Sequence, residues 1–142
     1  MTQEEKTILL QDLCARLPYN LYVRIEEFNV PKNEAITEGF VGNYLKDNRC
    51  NDYDADDILN ELADDCICIK PYLRPMSSMT EEENKEAKEN GCIIYWDTSL
   101  ENKGLLIFAS PKGFDWLNKK MFDYHGLIEG GLAIEASEGM YK

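Results

Sequence analysis

The fold of this chain is decided by the stretch Lys70-Pro71-Tyr72-Leu73-Arg74-Pro75-Met76-Ser77-Ser78-Met79-Thr80-Glu81-Glu82-Glu83. Pro71 and Pro75 fix their own φ angles and push the residues before them towards extended conformations. We therefore expect a stiff, irregular crossing between a strand and a helix. The overlapping capping-box patterns Ser78-x-x-Glu81 and Thr80-x-x-Glu83 predict where that helix begins. Three glutamates in its first turn suit the positive end of the helix dipole.

Length and composition indicate one globular domain over residues 1–142, because 142 residues with 44% hydrophobic content can bury an independent core. The net charge of −12 opposes binding to nucleic acid or to an anionic membrane. Residues 46–65 form an acidic surface insertion, in which eight acidic residues against two basic ones give a charge of −6. Five cysteines, an odd number, and a polar amino terminus favour reduced thiols in a cytoplasm.

Hydrophobic periodicity predicts the elements that flank this stretch. A capping box at Thr2 and apolar residues at helical spacing predict a helix over residues 3–16, which Pro18 ends. Alternation predicts a strand at 21–25, and a bent strand is expected at 36–45 around two glycines. Residues 66–69 resemble a short buried strand.

The second half of the chain is expected to begin with an exposed helix at about 80–90, which has almost no apolar face and stops at Asn90-Gly91. Two apolar runs at 92–96 and 105–109 predict a hairpin. A further helix, for which Asp115 is a better start than Ser110-Pro111, is expected to run to Gly126, and residues from Ser137 onwards are expected to fray. The predicted fold is α+β: a small, mostly antiparallel, curved sheet from strands near 21, 38, 67, 93 and 107, an N-terminal helix and C-terminal helices.

Patterns that could bind a metal ion are incomplete. Asp52-x-Asp54-x-Asp56 resembles the start of an EF-hand calcium loop, but Asp57 occupies the position of the required glycine and Ala63 that of the closing acid. The segment is therefore interpreted as a solvated acidic surface or a protein-docking patch. Cys66-x-Cys68 lacks the spacing and the second ligand pair of a zinc site. No metal and no cofactor are expected.

A catalytic constellation is not recognisable either. His125 is the only histidine, and the neighbouring Asp123 and Tyr124 would face other directions if the segment were helical. Capping of a helix C-terminus is thus the preferred role for His125. No nucleophile elbow or phosphate-binding glycine loop is present in the sequence, so a non-enzymatic protein is expected.

Several blocks resemble, in the same order, small uncharacterised proteins encoded by phages and prophages of gut Bacteroidales. They are residues 13–19 (LCARLPY), 70–83 (KPYLRPMSSMTEEE), 115–118 (DWLN) and 122–128 (FDYHGLI). In such relatives Arg is more frequent at the position of His125, which argues against catalysis there. The resemblance implies an origin in a bacterial host and carries no known activity, cofactor or site residue.

The leading hypothesis is a non-catalytic accessory protein that binds a host or phage protein, with the acidic segment 46–65 acting as a charged docking surface or as a nucleic-acid mimic. The candidate contact residues are Asp52, Asp54, Asp56, Asp57, Tyr72 and Arg74. Tyr72 and Arg74 are expected either to brace the crossing or to meet the partner. One alternative is a small-molecule or nucleotide-binding domain, or a minor enzyme, with a pocket near Tyr72, Arg74 and Trp96. Another is a structural or assembly component. The sequence leaves monomer and dimer open.

Overall fold

The computed structural model describes residues 2–27, 31, 36–42, 53–54, 67–97 and 103–141, and it has the predicted α+β class. The helices are α1 (Gln3–Arg16), α2 (Glu81–Glu89) and α3 (Pro111–Lys119). The strands are β1 (Tyr22–Glu27), β2 (Ile36–Gly42), β3 (Tyr53–Asp54), β4 (Ile67–Pro75), β5 (Cys92–Asp97), β6 (Lys103–Ala109), β7 (Phe122–Asp123) and β8 (Ile134–Glu135). The bounds of α1 and its capping box at Thr2 are those predicted.

The strands are divided between two sheets, whereas the sequence predicted one. The main sheet has the order β3-β2-β1-β4-β7, and β8 also pairs with β4. Its long central pairs are antiparallel, while β3, β7 and β8 pair in parallel. Strands β5 and β6 form a separate two-stranded sheet. Hydrophobic alternation indicates a strand but not its neighbours, which is why the prediction merged the two sheets.

The predicted irregular crossing at Pro71 is wrong, because β4 continues through both prolines to Pro75. The backbone N–H groups of successive strand residues point to opposite sides of the strand. The Tyr22 N–H points towards β4, where it donates to Tyr141 Oη, so the Val23 N–H points towards β2. The nitrogen of Pro71, which is the β4 partner of Val23, correspondingly points away from β1. On that far edge β8 pairs with β4 only from Tyr72 onwards, so the missing N–H leaves no gap in the ladder.

The described residues form two hydrophobic clusters. In the first, α1 packs on the main sheet, and its buried members are Leu9, Leu13, Leu17, Leu21, Val23, Ile25, Val41, Ile69, Leu73, Met121, Leu127 and Ala133. The second lies between α2, α3 and the β5–β6 hairpin, and its buried members are Met76, Ala87, Cys92, Ala109, Leu117 and Phe122. The carboxyl end of β4 and the residues that follow it lead from the first cluster into the second.

Helix α2 has the predicted bounds and is mostly exposed, with Ala87 as its buried residue. Its capping box is formed by Thr80 and Glu83, whereas Ser78 belongs to a 3-10 turn, Met76–Ser78, that precedes it. Gly91 follows the helix with φ +90°, a left-handed conformation that favours glycine, as the Asn90-Gly91 pattern predicted.

The C-terminal helix is shorter than predicted and begins earlier. Ser110 is the N-cap and Pro111 the first residue of α3, so the preference for a start at Asp115 was wrong. The helix ends at Lys119 and not near Gly126, because Met121 adopts φ 62° and the chain then enters β7 beside Arg74. Residues 122–123, which periodicity assigned to the helix, therefore pair with the main sheet as β7.

The predicted fraying from Ser137 is also wrong for the described residues up to Tyr141. The Tyr141 hydroxyl accepts a hydrogen bond from the Tyr22 N–H at 3.0 Å and donates to the Tyr72 carbonyl oxygen at 2.5 Å. The Tyr141 hydroxyl thus bridges the backbones of Tyr22 and Tyr72 at the end of the β1–β4 ladder, in place of a direct backbone hydrogen bond. Burial raises the pKa of this phenol well above its ordinary value.

Most of the acidic segment 46–65 lies outside the described residues, including Asp52, Asp56 and Asp57. Asp54 is described as a backbone position in β3, opposite Gly42. Among the helices that the structure describes, none combines the length and apolarity required to cross a bilayer.

Candidate functional site

Arg74, one of the predicted contact residues, makes several contacts inside the chain. Its guanidinium forms a bidentate pair with Glu83, with both N–O distances 2.8 Å, and it lies 4.2 Å from the centre of the Phe122 ring. The hydrogen bonds from Arg74 lower the pKa of the Glu83 carboxyl. Arg74 therefore connects α2 to the end of β4, a structural contact of the kind that was one of the two roles considered for it.

Tyr72, the second predicted contact residue in β4, is also engaged. Its hydroxyl donates to Glu38 Oε1 at 2.8 Å, and its ring meets the Tyr22 ring edge-on at 5.3 Å between centres. Trp96 lies on the hairpin, and its indole N–H donates to Asn84, which neighbours the Arg74 partner Glu83 in α2. The cavity beside Arg74, about 400 Å³, is not lined by Tyr72 or by Trp96. None of the cavities formed by described residues has more than one of the three residues of the predicted pocket in its lining.

The hairpin β5–β6 has a strongly apolar surface turned to solvent. Ile93 lies opposite Phe108 and Tyr95 opposite Leu105, while Ile107 is the extra residue of a β-bulge. These five side chains form what we call the outer face, and each is between 58% and 60% exposed. Large apolar residues exposed together on one side of a sheet make this face a candidate interaction surface.

The opposite side of the hairpin is its inner face, which belongs to the second hydrophobic cluster. Cys92, Ile94, Leu106 and Ala109 pack there against α2 and α3. Gly104 is needed at this face, because a Cβ at that position would stand 2.6 Å from the Trp96 ring. The inner face is thus fully used by the fold, and the outer face is additional to it.

A buried polar cluster connects α1 to the segment after α3. The fully buried Asp12 carboxylate accepts hydrogen bonds from Arg16 Nε at 2.8 Å and Nη2 at 3.0 Å, and His125 Nδ1 lies 2.9 Å from its Oδ1. Arg16 Nη2 also donates to the Phe122 carbonyl oxygen at 2.6 Å. Burial raises the pKa of Asp12, but His125 and Arg16 outweigh burial and lower it, so the group is a carboxylate at neutral pH.

His125 pairs with an aspartate, but the partner is Asp12 and not the neighbouring Asp123. The Asp123 carboxylate instead accepts hydrogen bonds from the Leu127 and Ile128 N–H groups, both at 2.9 Å, and so shapes the turn after β7. His125 follows a strand and not a helix, so the predicted role as a helix cap is wrong. Asp12 and His125 are 113 residues apart, a separation that no local motif could reveal.

A cleft of about 330 Å³ lies between the His125 segment, the 3-10 turn after β4 and strand β6. His125, Tyr124 and Ser77 supply polar groups to its lining, and Met76, Leu105, Leu106 and Ile128 supply apolar walls. Tyr124 is held by a hydrogen bond from its hydroxyl to Asn118 Oδ1 at 2.7 Å. The cleft is thus bordered by side chains that other contacts already fix.

Metal-binding chemistry has no geometric support within the described ranges, where no group of three His, Cys, Asp or Glu side chains is placed to hold an ion. Cys92 is buried, and burial raises the pKa of its thiol, which makes it a poor nucleophile. The Asp52-x-Asp54-x-Asp56 pattern falls mostly outside the described residues.

The outer face was partly visible in the sequence. The runs 92–96 and 105–109 are apolar at nearly every position, which is the signature of a strand buried on both faces. A strand that is apolar on both faces needs a packing layer on each side. The described part of the chain supplies such a layer on the inner face and none on the outer face. Comparison with protein-family models, with curated proteins and with solved structures finds no match to this chain.

Proposed function

We propose that this protein is a non-catalytic interaction domain, an accessory protein of a phage or prophage that acts in the cytoplasm of a bacterial host. It docks through the outer face of the β5–β6 hairpin onto a host or phage protein that presents an apolar centre with basic flanks. The observation that carries the proposal is the set of five large apolar side chains exposed on one side of this hairpin. The phage origin rests on the sequence resemblance alone.

The size of the outer face supports a docking role. Because a large aromatic residue presents roughly 200 Å² of surface, five large apolar residues at this exposure leave on the order of 600 Å² open. A stable protein–protein interface buries about 800 Å² on each partner, with an apolar core and a polar rim. The outer face is thus large enough to form the core of such an interface.

Charge favours a basic partner over a second copy of the chain. Each molecule carries a net charge of −12, so two copies repel each other as they approach, whereas a basic partner is attracted and steered. The acidic residues Asp52, Asp54, Asp56 and Asp57, predicted from the sequence as contacts, contribute to this long-range attraction. In this proposal they raise the rate of association, and the outer face supplies most of the affinity.

The binding test uses a synthetic strand peptide of alternating Leu and Lys as the probe, with a matched Leu and Glu peptide as the control. We expect the basic peptide to bind with an affinity that falls as ionic strength rises, and the acidic peptide to bind at least about tenfold more weakly. Replacing Ile93 and Ile107 by Thr should weaken binding of the basic peptide by at least about tenfold. Ile36→Thr, which changes an exposed isoleucine of the main sheet, should leave it unchanged.

Equal binding of the basic peptide to wild type and to the Ile93→Thr/Ile107→Thr variant would overturn the proposal. It would show that the peptide is attracted by the negative charge of the protein and does not bind at the outer face. Light scattering over a range of concentrations gives the second arm. A dimer that forms in wild type and is lost in that variant would assign the outer face to a second copy. A monomer at every concentration, together with the peptide result, supports a different protein as the partner.

A further inference from the structure

We propose that the cleft beside His125 binds a small, uncharged, ring-shaped molecule that carries one N–H or O–H donor, and that His125 Nε2 accepts the hydrogen bond from that donor. This site is distinct from the outer face. Ile93 and Ile107, which carry the docking test, do not line the cleft, although Leu105 borders both.

The protonation pattern of His125 follows from its partner. A carboxylate accepts hydrogen bonds and cannot donate them, so the His125 Nδ1 that lies 2.9 Å from Asp12 must carry a proton. In the neutral imidazole the other ring nitrogen, Nε2, then has a lone pair and accepts. Arg16 and its two hydrogen bonds keep Asp12 ionised and in place.

Nε2 lies on the side of the ring away from the Asp12 contact. Asp12 is fully buried, a third of the His125 side chain is exposed, and His125 is one of the residues that line the cleft. The Tyr124 ring lies 4.4 Å from the imidazole, centre to centre, and packs against its side. The imidazole is thus oriented before any ligand arrives, which reduces the entropy lost on binding.

The walls of the cleft decide which ligand fits. Met76, Leu106 and Ile128 favour an apolar body, and a volume of about 330 Å³ accommodates one or two fused rings. Glu129 and Asp123 also border the cleft and oppose an anionic ligand. Asp123 uses both carboxylate oxygens on the backbone of the following turn. The apolar walls disfavour a charged body of either sign, because burying a charge there costs its hydration, so the chemistry selects an uncharged ring with a single donor aimed at His125.

The test compares indole with 1-methylindole, which has nearly the same shape but no N–H, and with indole-3-carboxylate, which adds a negative charge. Each is titrated into the full-length protein while nitrogen-15 NMR follows the His125 ring and the backbone amides. We expect indole to shift the Nε2 resonance and to bind at least about tenfold more tightly than either analogue. With 1-methylindole the acceptor of the site is left unpaired, and with indole-3-carboxylate the added charge is repelled by Glu129 and Asp123.

His125→Phe keeps an aromatic ring in the same place and removes the acceptor. In that variant the preference for indole over 1-methylindole should disappear, while the amide spectrum shows that the fold is retained. Ile36→Thr, far from the cleft in sequence and on the main sheet, should keep the preference. Equal binding of indole and 1-methylindole to wild type would overturn the proposal, as would indole shifts confined to residues outside the cleft or no binding up to the solubility limit of indole.

Discussion

Asp12 shows how one buried side chain connects distant parts of this molecule. Its carboxylate holds Arg16 on the same helix and His125 in the segment after β7, while Arg16 reaches the backbone of Phe122. A buried charge is stable only when it is paired and hydrogen-bonded. The cluster therefore fixes the position of α1 relative to the second hydrophobic cluster as well as the first.

Asp12→Asn is expected to destabilise the fold by about 3–5 kcal/mol, because it leaves the buried Arg16 guanidinium without its counter-charge. The measurement is the free energy of unfolding from urea titration. The double variant Asp12→Leu/Arg16→Met removes both charges and should recover a large part of the loss. If Asp12→Asn unfolds at the wild-type urea concentration, the pair does not have this structural role.

Tyr141→Phe tests the hydroxyl that completes the β1–β4 ladder. Without it the Tyr22 N–H and the Tyr72 carbonyl oxygen lose their partner, and a loss of about 1–3 kcal/mol in the free energy of unfolding is expected. The Tyr95→Phe variant is a control, because Tyr95 lies on the exposed outer face. Equal effects of the two substitutions would argue against the ladder role of Tyr141.

At the scale of elements, α2 is the helix that depends least on apolar burial. Ala87 is its buried residue. Three side chains from other elements form hydrogen bonds with the helix: Arg74 with Glu83, Trp96 with Asn84 and Trp116 with Glu86. The sequence predicted the helix and its capping box from local patterns. The arginine and the two tryptophans that hold it come from other elements, so no local pattern could reveal them.

Glu83→Ala should loosen α2, because Glu83 both receives the Thr80 N–H in the capping box and pairs with Arg74. We expect faster hydrogen exchange of the α2 amides and a loss of about 1–2 kcal/mol in the free energy of unfolding. Glu82→Ala changes an exposed neighbour in the same helical turn and should have little effect. Exchange that rises equally in both variants would mean that the two contacts of Glu83 do not hold the helix.

At the scale of the whole molecule, the class of the fold and most element bounds followed from periodicity and capping. The pairing of strands did not, because β7 and β8 reach β4 across 48 and 62 positions in the register pairs Arg74–Phe122 and Tyr72–Ile134. Of the candidate site, a structural role for Arg74 was one of two that the sequence left open. The apolar runs of β5 and β6 were visible in the sequence, but the exposure of their outer face and the Asp12–His125 pair were not predicted, since both depend on which elements become neighbours.

The dependence of stability on pH combines the net charge with individual carboxylates. As the pH falls from 7 towards 5, the net charge of −12 shrinks and self-repulsion weakens, so the urea midpoint should rise. The pKa values of Asp12 and Glu83 are lowered in the folded protein, and so their stabilisation is present above the ordinary values of 3.8 and 4.5 and is lost as the pH falls below them. A midpoint that kept rising below pH 3 would contradict this assignment.

The late pairing of β8 with β4 also has a consequence for the order in which the chain is made. While residues 76–133 are being synthesised, the edge of β4 opposite β1 has no strand to pair with, and an open edge is a template for strands of other chains. Pro71 and Pro75 share that edge with Leu73, which pairs with β8, and neither proline has an N–H to offer. The two prolines thus protect the nascent sheet until its own last strands are made.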